Sequence, residues 1–102
     1  MAAAFNTIET VAYAGHSVVS KTILKKPTGT ITMFAFDKGE ELSEHTAPYE
    51  ALIHILDGEA EITIGGIAET VSAGHCILLP ANVPHAVKAV EKFKMMLTMI
   101  KS

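Results

Sequence analysis

Residues 50–71 read EALIHILDGEAEITIGGIAETV, and they decide the fold. Glu59, Glu61 and Thr63 alternate with Ala60, Ile62 and Ile64. A period of two marks a strand with one wet face and one buried face. Gly65-Gly66 then predicts a tight turn into a second such run, Ile67–Val71. Upstream, Glu50–Leu56 is apolar on both faces apart from Glu50 and His54, and the Asp57-Gly58 that follows predicts another turn. Ala51, Ile53 and Ile55 share the parity expected of an interior face. Leu52 and Leu56, flanking His54, then need cover from a second sheet or another subunit.

The same punctuation continues in both directions. Ser17–Leu24 is rich in β-branched residues and stops at Lys25-Lys26-Pro27; Thr30–Phe36 is closed by Asp37-Lys38-Gly39. Ala73-Gly74 turns the chain into Cys76–Leu79, Asn82-Val83-Pro84 is a further turn, and His85–Val90 and Phe93–Ile100 read as closing strands. Asn6–Tyr13 fits either a short strand or one helical turn. Turn signals recur every 8–12 residues or so, the pattern of a sandwich or barrel. A single open sheet of so many strands would expose long edges, which closure into a double-sheet jelly roll removes. The fold class expected is all-β.

Composition narrows the partners. The 102 residues suit one domain, and 49% of them are hydrophobic, which predicts a packed core and apolar surface left over for a second copy of the chain. A homodimer is expected. The net charge is −3 and the only basic cluster is Lys25-Lys26, so a nucleic-acid partner is not expected. No apolar run reaches the roughly 18 residues of a membrane span. The single cysteine, Cys76, allows no intrachain disulfide, and Met1-Ala2-Ala3-Ala4 lacks the start of a signal peptide; both suit a cytoplasmic protein. Cys76 follows a turn in an apolar run and reads as a buried, inert thiol. Glu40, Glu41 and Glu44 read as a solvated acidic loop.

Particular spacings resemble the cupin family. Its first motif runs from a Gly over five residues to His-x-His, then to a Glu and a closing Gly; here Gly39 is followed after five residues by His45, and Gly58 holds the closing position. Its second motif begins with Gly, five residues and Pro; here Gly74 precedes Pro80-Ala81-Asn82-Val83-Pro84-His85, with Ala89 in place of the motif's Asn. The match spans Gly39 to Ala89. It implies a double-stranded β-helix, the jelly-roll barrel, over residues 17–102 after an N-terminal arm (1–16), with a pocket inside and often a dimeric state.

The resemblance also implies a metal held by three His and one Glu, and here the chain departs from it. His45 and His85 match two of the histidines, but Ala47 and Ala51 occupy the other two ligand positions. Tyr49 shares the parity of His45, Ala47 and Ala51 and could line the pocket or act as an added ligand. Glu50 is offset by one residue and points outward unless a β-bulge after Pro48 corrects it. His54 falls on the opposite face. Two imidazoles are a half-site for iron, manganese, nickel or zinc.

Two function classes stay open. One is a small-molecule binder whose pocket involves His45, Ala47, Tyr49, Ala51, Ile53 and His85. The other is a metal-dependent enzyme, dioxygenase- or isomerase-like, with one divalent ion on His45 and His85. The methionine-rich run Lys94–Ile100 reads either as core or as an adaptable apolar wall.

Overall fold

The computed structural model describes residues 3–102; Met1 and Ala2, on which the readings of the chain's start and of the 1–16 arm partly fall, lie outside the described residues. A 3-10 turn, Ile8–Thr10, resolves the ambiguity of the N-terminal segment in favour of a helical turn. Eight strands follow: β1 (Val18–Lys26), β2 (Gly29–Phe36), β3 (Glu41–His45), β4 (Glu50–Ile64), β5 (Ile67–Ser72), β6 (Cys76–Leu79), β7 (His85–Lys88) and β8 (Phe93–Ile100). Every pairing is antiparallel. No helix among the described residues is long and apolar enough to cross a membrane.

The turn expected at Asp57-Gly58 is not a turn. The chain runs through it as one 15-residue strand, β4. Its first half pairs with β8 and β6, and its second half with β5 and β7. The ladder to β8 slips between Ile55 and Asp57, a β-bulge, and Gly58 sits at φ +72°. The bulge bends the strand from one sheet into the other and resets its parity. Ala51, Ile53 and Ile55 are buried before it, and Ala60 and Ile62 after it. One sheet has the order β1-β2-β8-β4-β6, the other β3-β7-β4-β5.

Between the sheets lies a core of Phe36, Ile53, Ile55, Ile62, Val87, Phe93 and Met95 with their smaller neighbours. Phe36 and Phe93 are register partners on β2 and β8, and their rings stack with centres 4.5 Å apart. The outer face of the first sheet carries a second, smaller cluster: Val11 from the N-terminal segment packs on Met33 and Ala35, with Tyr13, Leu56 and Met96 around it. Leu56 is therefore covered by the chain's own arm. Leu52 is not and remains 40% exposed.

Polar groups fasten that arm. The Tyr13 hydroxyl donates to Asp57 Oδ2 at 2.7 Å, and Lys94 Nζ donates to the Ile8 carbonyl at 2.6 Å. Burial, then the bond to and charge of Asp57, hold the Tyr13 phenol well above its ordinary pKa, so it stays a donor. The ammonium groups of Lys92 and Lys94 lie 4.8 and 4.9 Å from the centre of its ring. At the far side of this sheet β1 is an edge strand, and Lys21, Lys25 and Lys26 on it are exposed.

Gly58 tests the hinge of this barrel. A Cβ there would overlap the Lys92 carbonyl oxygen and press on Phe93. At Gly66, also at positive φ, a Cβ would meet open space. Gly66→Ala should cost about 1–2 kcal/mol, the penalty of the left-handed backbone alone. Gly58→Ala should cost more than about 3 kcal/mol or prevent folding, because the overlap adds to that penalty. Urea denaturation of the two variants measures the difference.

Candidate functional site

Two local devices bring His45 and His85 together. On β3 the register to β7 runs Leu42↔Val87 and then His45↔His85, three residues against two. The extra residue is a bulge that turns His45, rather than Glu44, toward the barrel. Leu42 packs on the core, and Glu41 and Glu44 stay exposed. The expected acidic loop is thus largely a strand, with its carboxylates solvated as foreseen. On the other side, Pro80–Pro84 forms a tight loop in which Asn82 takes φ +64°. Its N–H donates to the Ala47 carbonyl at 2.8 Å, and Gly65 N–H donates to the Pro84 carbonyl at 2.8 Å. The loop before His85 is therefore tied to the segment after His45.

The two rings meet edge to face, with centres 4.3 Å apart and Nε2 to Nε2 3.1 Å. A straight imidazole–imidazole hydrogen bond would hold the centres more than about 5 Å apart, so the nitrogens meet obliquely. His45 Nδ1 lies 2.8 Å from the Ser43 carbonyl and His85 Nδ1 lies 3.2 Å from the Val83 carbonyl. Carbonyl oxygens only accept, so each of these contacts calls for a hydrogen on nitrogen, and so does the contact between the rings. Two neutral imidazoles carry only two such hydrogens for three contacts. The pair lacks one positive charge or one external donor.

His85 is buried, at 8% exposure, and His45 is exposed, so the pair stands at the mouth of the barrel. Beneath it is a cavity of about 50 Å3. Ala47, Ala51 and Ile53 line it, as do Leu42, Leu79 and Val87, and Met95, Leu97 and Met99 form its β8 wall. Larger concavities lie outside the barrel and hold neither histidine: one between the N-terminal segment and β1, another across the ends of β1, β2 and β8.

The structure brings together His45, Ala47, Ala51, Ile53 and His85 from the expected set, and leaves Tyr49 out. Pro48 and Tyr49 form a bend, and β4 begins only at Glu50, so strand parity does not carry across to Tyr49. Tyr49 is 36% exposed, with Lys101 Nζ 5.6 Å from the centre of its ring. Glu50 is exposed, opposite Ile100, with no bulge to turn it inward. Cys76 is exposed too, correcting the expectation of a buried thiol: on the short strand β6 it pairs with His54 on the outer face. The lining residues not expected were Leu42, Leu79 and Val87; the run Lys94–Ile100, read as core or as an adaptable wall, supplies both. Met95, Leu97 and Met99 alternate toward the cavity, whereas Met96 turns outward under the arm; period two over 95–99 was the available signal.

The ligand set for a divalent ion is incomplete here. Two nitrogens bound to one ion at about 2.0–2.1 Å lie roughly 3 Å apart when the angle at the ion is near a right angle, so the pair itself fits. Nothing completes it: among the described residues no three His, Cys, Asp or Glu side chains are grouped to hold an ion. The described residues do not fit the metal centre that the resemblance implies.

The barrel, the bulged β4 and the paired histidines at its mouth are those of a cupin. The chain belongs to the cupin family: residues 32–101 match its cupin domain. It is similar to a conserved protein of unknown function from Streptococcus pyogenes, at 36% identity and a TM-score of 0.95, covering 100% of this chain and 90% of that one. A cupin 2 conserved barrel domain protein from Leptotrichia buccalis is 44% identical at a TM-score of 0.92, over 95% of this chain and 47% of that one, which is about twice as long. A cupin superfamily protein from Desulfitobacterium hafniense is 26% identical, with a TM-score of 0.87, over 90% of this chain and 84% of that one. No curated protein matches the chain.

Refilling the two emptied positions tests this account. Ala47→His with Ala51→Glu should create a four-ligand site that binds zinc or manganese stoichiometrically and raises the melting temperature on loading. Ala51 is 5% exposed, so without metal the same variant should be destabilised by about 1–3 kcal/mol through its buried carboxylate. Elemental analysis and thermal melts with and without ion read both effects.

Proposed function

We propose that this cupin binds a small, largely apolar guest in its barrel interior, held by His45 and His85 at the mouth. The observation that carries this is the facing of two Nε2 atoms 3.1 Å apart over an apolar cavity, one hydrogen short of satisfying their contacts. Such a pair accepts from a guest's O–H or N–H, while the methyl groups of Ala47 and Ala51 and the β8 side chains receive its apolar part. A cavity of about 50 Å3 suits a guest of few heavy atoms unless the methionine wall yields. The exposed thiol Cys76, with no disulfide, suits a reducing, cytoplasmic setting.

We also propose that the chain pairs with a second copy through the outer face of the first sheet. Leu52 and Leu78 are direct cross-strand partners there, and Ile100 lies one step along; they are 40%, 54% and 58% exposed. The three apolar side chains offer no charge to select a charged partner, and a two-fold axis through them would set like against like.

Two measurements decide these readings. Titration with small alcohols and primary amides should shift the NMR signals of the His85 ring and the Met99 methyl, and acetate should not. His85→Phe should abolish the shifts, and their absence in the unaltered protein would reject the pocket. Leu52→Glu with Leu78→Glu should convert a dimer to a folded monomer by light scattering; an unaltered chain that is already monomeric refutes the pairing.

A further inference from the structure

On the outer face of the first sheet, away from the barrel mouth, a thiol and an imidazole stand side by side. Cys76 on β6 and His54 on β4 are direct cross-strand partners. Their neighbours Ile53, Ile55 and Leu79 are buried in the interior, so both side chains point outward. Direct partners have Cβ atoms about 4.5–5.5 Å apart, close enough for a sulfur and a ring nitrogen to bind one ion. Cys76 is exposed and His54 half-buried. His45, His75 and His85 each direct Nδ1 at a backbone carbonyl, whereas no hydrogen bond holds the His54 ring among the described residues. One chain supplies only these two ligands: among its described residues no third His, Cys, Asp or Glu joins them.

A second copy supplies the rest. Leu52 and Leu78 are the next outward pair along the same two strands, about 7 Å from His54 and Cys76. A two-fold axis running along the strands, between β4 and β6, lays Leu52 over the partner's Leu78 and, by the same rotation, His54 over the partner's Cys76. Sheets packed face to face lie about 10 Å apart, so an ion midway is about 5 Å from each, the reach of a Cβ, a sulfur and a bond of about 2.3 Å. Two thiolates and two neutral imidazoles match tetrahedral zinc in type and number. The two thiolates also cancel the charge of the ion, so the closed site places no net charge between apolar side chains. We propose that His54 and Cys76 of two copies form one shared zinc site in the dimer interface. Each thiol gives its proton to solvent as its sulfur binds. The site rests on the pairing through Leu52 and Leu78, and names the ion that fastens it.

The test uses the full chain without an affinity tag, stripped of metal with EDTA and kept reduced with a phosphine. Zinc titration should bind one ion per two chains and, by light scattering, tighten the dimer about tenfold or more, because an ion held only by the dimer favours it by mass action. Cobalt in place of zinc should give the intense visible bands of a tetrahedral site and a thiolate charge-transfer band in the near ultraviolet. Cys76→Ser and His54→Ala change outward-facing side chains and should fold normally by circular dichroism. Each should weaken zinc binding by on the order of a hundredfold or more, since losing a ligand exceeds the 10–100-fold cost of losing a supporting partner. A dimer that is equally tight with zinc, without it and in Cys76→Ser overturns the zinc site and leaves the pairing standing. Zinc bound one per chain, or zinc that survives Cys76→Ser and is lost in His85→Phe, overturns the site as well. A chain that stays monomeric with and without zinc overturns both.

Discussion

The barrel depends on a single strand being shared by two sheets. β4 does this by bulging at Ile55–Asp57 and passing through Gly58 in a left-handed conformation, pressed so closely against the Lys92 carbonyl that no side chain fits. A strand of 15 residues with unbroken parity would have to bury one face along its full length against one layer. The bulge exchanges the faces, so Ile53 and Ile55 before it and Ile62 after it point into the same interior. The stacked Phe36–Phe93 pair lies beside this crossing, since Phe93 is also the register partner of Gly58. The N-terminal arm fastens there as well, through Tyr13 to Asp57.

A second bulge, on β3, does for the site what the first does for the fold. Without the extra residue between Leu42 and His45, Glu44 would share the inward face of Leu42, and the cavity mouth would carry a carboxylate instead of an imidazole. His85 is set from the opposite side by Asn82, whose left-handed backbone closes the loop and whose N–H reaches the Ala47 carbonyl. Fold and site thus rest on the same backbone device, one extra residue at a chosen place. The pair's shortage of hydrogens follows from this positioning, because both Nδ1 atoms are directed at carbonyls two residues back in their own segments.

Much of this was legible in the sequence, and the exceptions share a cause. The alternation of Glu59–Ile64, the Gly65-Gly66 turn and the Pro80–His85 segment lead directly to strands and to a cupin. Asp57-Gly58 misled because a turn and a bulge use the same residues for the same reason, a left-handed backbone, and both exchange the faces of the chain. Glu41–His45 does not read as a strand, because its bulge breaks the alternation that would announce it. Parity places Tyr49 in the pocket only when it is counted through a bend, where it has no meaning. An apolar strand predicts a buried Cys76, but apolar residues on a short outer strand need not be covered. The run Lys94–Ile100 is legible as core or wall, but that Met99 is the residue beside Ala51 is a relation between distant positions that only the β4–β8 register reveals.

The lysines of β1 have a further consequence. Among the described residues no strand pairs with the outer side of β1, which leaves a row of main-chain amides and carbonyls at the rim of the first sheet. Lys21, Lys25 and Lys26 surround that row with like charge, so two copies approaching rim to rim repel each other before their backbones can pair. The protection is electrostatic, and dissolved salt weakens it by screening. Pairing of two copies at this rim is therefore less opposed in concentrated brine than in dilute buffer.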